Sequence, residues 1–260
     1  MTRAFSLVEL SIVLVILGLL TGGILAGQSL IRAAELRSIP TDVNRFNSAT
    51  LAFRDKYFTL PGDMRNATRF WGAQAGATTD GTTAACLALD YTTPATGAAT
   101  CNGDGNGQVG WKEGWRGWQQ LANAGLVEGS FTGVPGVVGD DTFGTAGENM
   151  PRSRANDNIG FAAVYSGPVT VAGGAMFIGN FGHTLRLGMG NGTDEGNVPS
   201  SEDAWNIDTK MDDGRPGTGS VRSYTNTSRP TCATTDVTST AQYTLTSLNG
   251  SCNLVFILLP

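Results

Sequence analysis

The residues in this sequence best suited to chemistry lie in an oxygen-rich segment between residues 102 and 113. When residue 102 is counted as the first position, side chains with oxygen atoms occupy the first, third, fifth and twelfth positions, and glycine occupies the sixth. Alternate side chains of a tight loop converge on one point, and glycine permits the sharp turn between them. The residues concerned are Asn102, Asp104, Asn106, Gly107 and Glu113.

This spacing is that of an EF-hand loop, with Asn102 at a position where Asp is commoner. It predicts a calcium site with five ligands: Asn102, Asp104, Asn106, Gln108 (through its backbone carbonyl) and Glu113. Only Asp104 and Glu113 carry charge, so we expect low affinity, and millimolar calcium outside the cytoplasm would suffice. The alternative is a turn without a metal, held in place by a disulfide between Cys86 and Cys101.

A second acidic group of residues precedes the turn 214–217 and comprises Asp203, Asp208, Asp212 and Asp213. Its spacing matches no established metal-binding pattern. Two interpretations are open: a second calcium site, or a solvent-exposed turn stabilised by Lys210 or Arg215. The lack of a pattern favours the second.

Side chains for other kinds of chemistry are sparse. His183 is the only histidine, so zinc sites and Ser-His-Asp arrangements lack support. The sequence contains no nucleophile motif and no Gly-rich phosphate loop. We therefore expect a protein that is not an enzyme. Three tryptophans could form a carbohydrate platform, but their helical spacing favours packing in a core: Trp111, Trp115 and Trp118.

Four cysteines occur, and none forms a CxxC pair. An even number outside a metal or redox motif predicts two disulfides in an oxidising compartment. Three pairings are possible, and we prefer the one local in sequence, Cys86 with Cys101 and Cys232 with Cys252. Each such bridge would add about 3 kcal/mol of stability by restricting the unfolded chain. Four buried free thiols are the alternative.

Charge and composition narrow the class of protein further. The net charge is -5 and there is no run of Lys or Arg, so the sequence offers no surface for nucleic acid. Glycine occurs 36 times, about twice the average usage, mostly after residue 60 and together with Thr, Asn and Asp. This composition predicts strands and long ordered loops, with little helix beyond the N-terminal part.

The N-terminal segment contains a long apolar run. No residue from Leu10 to Ile31 is charged, and a helix of this length is long enough to cross a bilayer core of about 30 Å. Arg3 precedes the run, and Arg32 and Arg37 follow it. A cleaved secretory signal peptide is the alternative, although its apolar region is usually only about 7–15 residues long.

The residues before the apolar run carry a more specific signal. Residues 3–9 read Arg-Ala-Phe-Ser-Leu-Val-Glu, and the carboxylate of Glu9 is costly at the edge of an apolar run unless it has a partner or a function. This order resembles the N-terminal signature of type IV pilins and type II secretion pseudopilins. That signature has a short basic leader, a small residue, Phe, and Glu at the fifth position after the cut. The family usually has Gly where this chain has Ala4.

The resemblance implies a pathway of processing and assembly. A prepilin peptidase would cut between Ala4 and Phe5 on the cytoplasmic side and then methylate the new amine of Phe5. Glu9 would neutralise the Phe5 amine of a neighbouring subunit, which removes two unpaired charges from a low-dielectric filament core. The implied partners are other pilin or pseudopilin subunits, the peptidase and the bacterial inner membrane. The head would lie in the periplasm, and the filament in the periplasm or at the cell surface.

Beyond the apolar run we expect the helix to continue with one apolar face. Pro40 predicts a bend, after which Thr41 and Asp42 would cap a renewed helix. The turn at 60–63 predicts that the helix ends near Phe58. Between these points an apolar stripe recurs at three- and four-residue steps and predicts the face that packs on a sheet: Val43, Phe46, Thr50, Phe53 and Tyr57.

The remainder of the chain predicts strands with long connections. The strand-like runs are 161–164, 175–181, 183–189, 242–246 and 254–259. A short amphipathic helix is expected after the oxygen-rich segment, with Trp115, Trp118, Leu121 and Leu126 on one face. A helix followed by strands indicates an α+β fold, in which the long helix packs on an antiparallel β-sheet head with Gly-rich loops.

Taken with the resemblance, this pattern divides the chain into four parts. They are a leader at 1–4, a transmembrane or filament-core helix at 5–31, its amphipathic continuation at 32–60 and a globular head at 61–260. The predicted function is that of a structural subunit of a type IV pilus-like or type II secretion pseudopilus filament. The alternative is a minor or tip pilin that acts as an adhesin or substrate-binding module.

Overall fold

The computed structural model describes residues 7–74, 96–136, 142–171, 176–189, 199–225, 227, 229–245 and 252–258. These residues form four helices and seven strands. The helices are α1 (Leu7–Tyr57), α2 (Thr68–Trp71), α3 (Trp111–Asn123) and α4 (Ser201–Met211). The strands are β1 (Arg152–Ser153), β2 (Asn156–Tyr165), β3 (Pro168–Val169), β4 (Gly179–Asn180), β5 (His183–Met189), β6 (Val221–Ser223) and β7 (Leu254–Ile257).

The main sheet has five strands in the order β1-β2-β5-β7-β6, and every neighbouring pair is antiparallel. Strands β2 and β5 form its centre, where Phe161 lies opposite Leu187. A second, two-stranded sheet pairs β3 with β4. The predicted α+β layout, with one long N-terminal helix and an antiparallel sheet, is confirmed.

Helix α1 has two halves with different surroundings. In its first half the residues are apolar and exposed, and an 18-residue window there has none of its residues buried. By length and composition this half could cross a membrane. In the second half, the predicted stripe is buried at Val43, Phe46 and Phe53. The helix ends at Tyr57, which confirms the predicted end near Phe58.

The junction between α1, α3 and the main sheet is aromatic. Phe46 is fully buried, and its ring meets Trp118 of α3 edge-on with ring centroids 5.0 Å apart. On its other side it meets Phe161 of β2 at 5.2 Å. Trp115 and Trp118 are both buried in this core, as the helical spacing predicted, so neither is free to form a carbohydrate platform.

Helix α1 runs through Pro40 without interruption. The prediction of a renewed helix capped by Thr41 and Asp42 is therefore wrong. Thr41 donates its hydroxyl to the carbonyl of Arg37 (3.4 Å), and Asp42 is completely buried. Proline removes one backbone donor, but buried residues on both sides of it hold the helix against the head: Leu36, Ile39 and Val43.

The predicted strands agree with the structure in part. The run 183–189 is β5, the run 161–164 lies within β2, and the run 254–259 begins as β7, with residue 259 outside the described residues. The run 175–181 contains only the short β4, and residue 175 lies outside the described residues. A strand at 242–246 is wrong for the residues described, because a tight turn at 237–241 leaves Tyr243 with a single bridge to Ala233. Residue 246 lies outside the described residues.

Helix α4 contradicts the prediction of little helix after the N-terminal part. Ser200 caps it by accepting a hydrogen bond from the backbone N–H of Asp203 (3.1 Å). Acidic residues in its first turn complement the helix dipole. Its buried face, which includes Ala204 and Ile207, packs into the core. The Asp203 carboxylate also pairs with Arg32 of α1.

Replacing Phe46 by Ala is expected to destabilise the protein by about 3–5 kcal/mol, because a fully buried aromatic ring leaves a cavity that its neighbours fill only partly. Tryptophan fluorescence during chemical denaturation of the detergent-solubilised chain measures this loss. Phe58→Ala is the matched control, since the Phe58 side chain is 91% exposed. An equal loss of stability in the two variants would contradict the assignment of the core.

Candidate functional site

The candidate site lies where the turn after α1, the loop before α3 and the first turn of α3 meet. It contains three carboxylates, Asp63, Asp104 and Glu113. One oxygen from each lies within 4.8 Å of the chosen oxygens of the other two. Asp63 and Glu113 are buried, and Asp104 is half-buried. Sequence analysis predicted Asp104 and Glu113 as ligands but assigned Asp63 only to a turn.

Close backbone packing brings Asp63 to the loop. A Cβ atom on Gly103 would lie 2.2 Å from the carbonyl oxygen of Gly62, and a Cβ on Gly62 would lie 2.2 Å from that of Glu113. Gly62 also has a positive φ of 94°, which side chains other than glycine rarely adopt. Its N–H donates to Gln120 Oε1 (2.7 Å). The Pro-Gly-Asp turn therefore fits against the loop only because both approaching residues are glycines.

Backbone amides of the loop hold the two aspartates. Asp63 accepts one hydrogen bond at each carboxylate oxygen, from the N–H groups of Asn106 and Gly107 (both 3.0 Å). Asp104 accepts from the backbone N–H of Asn106 (2.9 Å) and from its side-chain amide (2.7 Å). Each of these carboxylate oxygens has a second lone pair, so the hydrogen bonds orient the aspartates without using up their capacity for a cation.

Glu113 is held in the same way from the first turn of α3. Its Oε1 accepts from the N–H of Asp104 (3.1 Å) and its Oε2 from the N–H of Gly110 (3.0 Å). Both donors belong to the loop that precedes the helix. The glutamate therefore fixes the loop to the helix N-terminus, where a negative charge is also favoured by the helix dipole.

Burial and the neighbouring negative charges raise the pKa of two of these carboxyls, Glu113 and Asp63. Burial raises the pKa of Glu113 to about 7, and the charges of Asp104 and Asp63 add to the rise, although the two backbone N–H donors oppose it. Burial also raises the pKa of Asp63, again with a contribution from Asp104. A cation among these oxygens would favour the ionised forms and remove the repulsion.

The other predicted ligands have different partners in the structure. Asn102 is buried, and its Oδ1 accepts a hydrogen bond from the backbone N–H of Thr68 (3.0 Å). Asn106 accepts at its Oδ1 from the N–H of Gln108 (2.6 Å), and Gln108 is exposed. The structure thus brings Asp104 and Glu113 of the predicted set together with Asp63, a donor set different from that of an EF-hand loop.

The end of the loop is attached to the main sheet. The N–H of Tyr165 donates to the carbonyl of Val109 (2.6 Å). The N–H of Val109 donates to His183 Nε2 (3.3 Å). His183 begins β5, is half-buried, and has its pKa lowered by burial. This histidine thus supports the loop as a neutral hydrogen-bond acceptor.

The second acidic group forms a separate cluster of Asp208, Asp212 and Asp213. Asp208 is buried, accepts from the hydroxyl of Tyr243 (2.8 Å) and from the N–H of Gly214 (3.1 Å), and has its pKa raised to about 7 by burial. Asp213 accepts from the backbone N–H of Arg215 (2.8 Å). Backbone N–H groups and the Tyr243 hydroxyl thus orient these carboxylates, as backbone N–H groups orient those of the first cluster. Asp203, which the sequence placed in the same group, pairs with Arg32 instead.

Some of the remaining predicted residues are among those that the structure describes, and others are not. Cys232 and Cys252 form a disulfide with Cα atoms 5.1 Å apart, one of the two preferred pairs. Cys101 is also disulfide-bonded, and Cys86 lies outside the described residues, as do Ala4 and Phe5. Glu9 lies in the first turn of α1.

Comparisons of the chain with protein-family models, curated proteins and solved structures found no match.

The stability of the metal-free protein is expected to fall as the pH rises from about 4.5 to about 7. Over this range folded Glu113 keeps a proton that the unfolded chain loses, so the folded state binds more protons and loses stability with rising pH. Chemical denaturation in the presence of a chelator at a series of pH values measures the effect.

Glu113→Gln should make this fall smaller, and Asp208→Asn, which removes a second group that titrates near 7, should reduce it further. The exposed Glu148 provides the control, because Glu148→Gln should retain the full pH dependence. An unchanged pH profile in Glu113→Gln would show that this carboxyl does not titrate as inferred.

Proposed function

We propose that the chain is a subunit of a type IV pilus-like or type II secretion pseudopilus filament, anchored and assembled through α1. The observation that carries the proposal is the division of this helix. Its first half is apolar and exposed, whereas its second half is built into the core of the head. An exposed apolar helix needs a second apolar environment. The inner membrane would supply it before assembly, and the helices of neighbouring subunits would supply it afterwards.

The glycines of the apolar half support packing against other helices. A Cβ atom added at any of them would meet nothing within 4 Å among the residues that the structure describes, so no contact there requires their small size. Small residues at four-residue spacing let helix backbones approach one another. The glycines are Gly18, Gly22, Gly23 and Gly27.

Two further positions along α1 support the same function. At its start, Glu9 follows the segment that resembles a prepilin cleavage signature. At the boundary between its halves, Arg32 pairs with Asp203 of α4 and with Glu35 (3.1 Å). The pair with Asp203 joins α1 to the head, whereas Glu35 belongs to α1 itself.

The second part of the proposal is that calcium binds among Asp63, Asp104 and Glu113. The donor set consists of carboxylate oxygens, which calcium prefers, and burial beside other acidic groups raises the pKa of both Asp63 and Glu113. The three residues would hold the ion, and the ion would cross-link the turn after α1, the loop and α3. Its role would be structural, stabilising the head in an extracytoplasmic compartment where calcium is millimolar.

Processing tests the first part of the proposal. The full chain, expressed with a prepilin peptidase, is expected to lose Met1 to Ala4 and to begin at N-methylated Phe5, whereas without the peptidase it keeps its leader. Glu9→Gln is expected to be processed normally but to fail to enter filaments, because the Phe5 amine of a neighbour then lacks its counter-charge. Intact-mass analysis and quantification of sheared filaments measure the two results.

Asp55→Asn is the matched control for Glu9, because it removes an exposed carboxylate from the same helix. It should be processed and assembled like the wild type. A chain that begins after the apolar run, or that keeps residues 1–4 in both strains, contradicts the filament proposal.

Thermal unfolding tests the calcium part. At a pH above the pKa of Glu113, millimolar calcium should raise the melting temperature relative to a chelator by several degrees, and the rise should shrink at acid pH, where the carboxyls are protonated. Asp63→Asn and Glu113→Gln should each abolish most of the rise. Asp213→Asn, in the separate acidic cluster, should keep it. A rise that survives in Asp63→Asn would place any calcium elsewhere.

A further inference from the structure

A cavity of about 280 Å³ opens on the head beside the second half of α1. Three arginines line it, each from a different place in the fold: Arg45 from α1, Arg152 from β1 and Arg154 from the turn before β2. Phe131 forms part of its apolar wall, and Glu128 lies at its edge. No motif in the sequence predicts this group, because Arg45 lies more than a hundred residues from Arg152 and Arg154.

A buried carboxylate pairs with two of the three arginines. Asp42 is completely buried, and its Oδ1 lies 3.5 Å from Arg45 Nη2 and 3.4 Å from Arg154 Nε. Its Oδ2 accepts from the backbone N–H of Arg154 (3.3 Å). One negative charge therefore faces two positive ones at ion-pair distances, and Oδ1 makes no hydrogen bond to either guanidinium group among the described residues.

The third arginine is oriented by a neutral group. Arg152 donates from Nε to the carbonyl of Ala146 (3.2 Å), and its side chain is exposed in the cavity wall. Its two terminal nitrogens have no hydrogen-bond partner among the residues that the structure describes. Arg45 lines the same cavity, and its Nε is buried without a hydrogen-bond partner among the described residues.

The cavity is thus positive in a chain whose net charge is -5. Three guanidinium groups face the carboxylates of Asp42 and Glu128, so one positive charge is in excess. A guanidinium presents a rigid fork of donors that matches the oxygens of a carboxylate or phosphate group, and such paired hydrogen bonds are stronger than those between neutral groups.

We propose that this cavity binds a small organic anion through its carboxylate or phosphate group, which Arg152 takes together with the arginines that pair with Asp42. The volume is close to the lower end of that of small-molecule sites, which suits a compact acid. The apolar wall at Phe131 would contact the carbon skeleton of the ligand. This binding activity is independent of assembly through α1, and it would give the head a recognition role of its own.

Isothermal titration of the full chain in a neutral detergent tests the proposal, with citrate and inorganic phosphate as separate probes at constant ionic strength. Saturable binding of citrate alone assigns carboxylate chemistry, binding of phosphate alone assigns phosphate chemistry, and binding of both assigns a general oxyanion site. Arg152→Gln should weaken binding about tenfold or more, because it removes a charged, paired donor. Arg69→Gln should have no effect, since Arg69 is exposed on α2 outside the cavity.

Three results would overturn the proposal: no saturable binding of either anion in the millimolar range, equal binding by Arg152→Gln and wild type, or equal binding of a neutral polyol such as xylitol. A second measurement uses the unchanged chain. Phenylglyoxal labelling, read by peptide mass spectrometry, should be suppressed by the bound anion at Arg152 and Arg154 but not at Arg69. Equal labelling at all three with and without the anion would also overturn it.

Discussion

The fold depends on one packing arrangement, the insertion of Phe46 between Trp118 of α3 and Phe161 of β2. This contact lies where α1, α3 and the main sheet meet, and the described residues of α1 and the sheet share no backbone hydrogen bonds. Close to it, the turn after α1 approaches the first turn of α3, with Gly62 against the carbonyl of Glu113. The turn after α1 and the loop before α3 are consequently adjacent, and the carboxylate site forms between them.

Buried carboxylates have different surroundings at two places in the molecule. Asp63 and Glu113 are surrounded by backbone N–H donors and by other carboxylates. Asp42 is surrounded by guanidinium groups. Burying a carboxylate costs several kcal/mol unless it is paired or hydrogen-bonded, and each surrounding meets that cost in its own way. The first leaves negative charge in excess and suits a cation, whereas the second leaves positive charge in excess and suits an anion.

Local patterns in the sequence predicted the local structure well. The stripe of Val43, Phe46 and Phe53 is buried, β5 has the predicted bounds, and α3 begins at the end of the oxygen-rich segment. In the candidate site, Asp104 and Glu113 meet because a single loop and the helix it enters contain both. These successes share a cause, since periodicity and turn chemistry act over a few residues.

The failures share a cause as well, because they depend on contacts between distant parts of the chain. Asp63 lies about forty residues from Asp104, and its part in the site depends on the close approach of Gly62 and Gly103, which no spacing rule reveals. Asn102 fits a ligand position by spacing, but in the structure its side-chain oxygen accepts a hydrogen bond from the backbone N–H of Thr68. Helix α4 is the exception, because it had a local signal, Ser200 followed by acidic residues, that the abundance of glycine obscured.

The continuity of α1 through Pro40 has a mechanical consequence. A single run of 51 helical residues contains both the exposed apolar half and the half that packs in the core of the head, so one uninterrupted helix couples the two. A screw movement of the exposed half past its neighbours by one residue shifts it by about 1.5 Å along the helix axis and rotates it by about 100°. The head must turn by the same angle. The direction in which the head faces is therefore set by whichever stripe of the apolar half its neighbours contact.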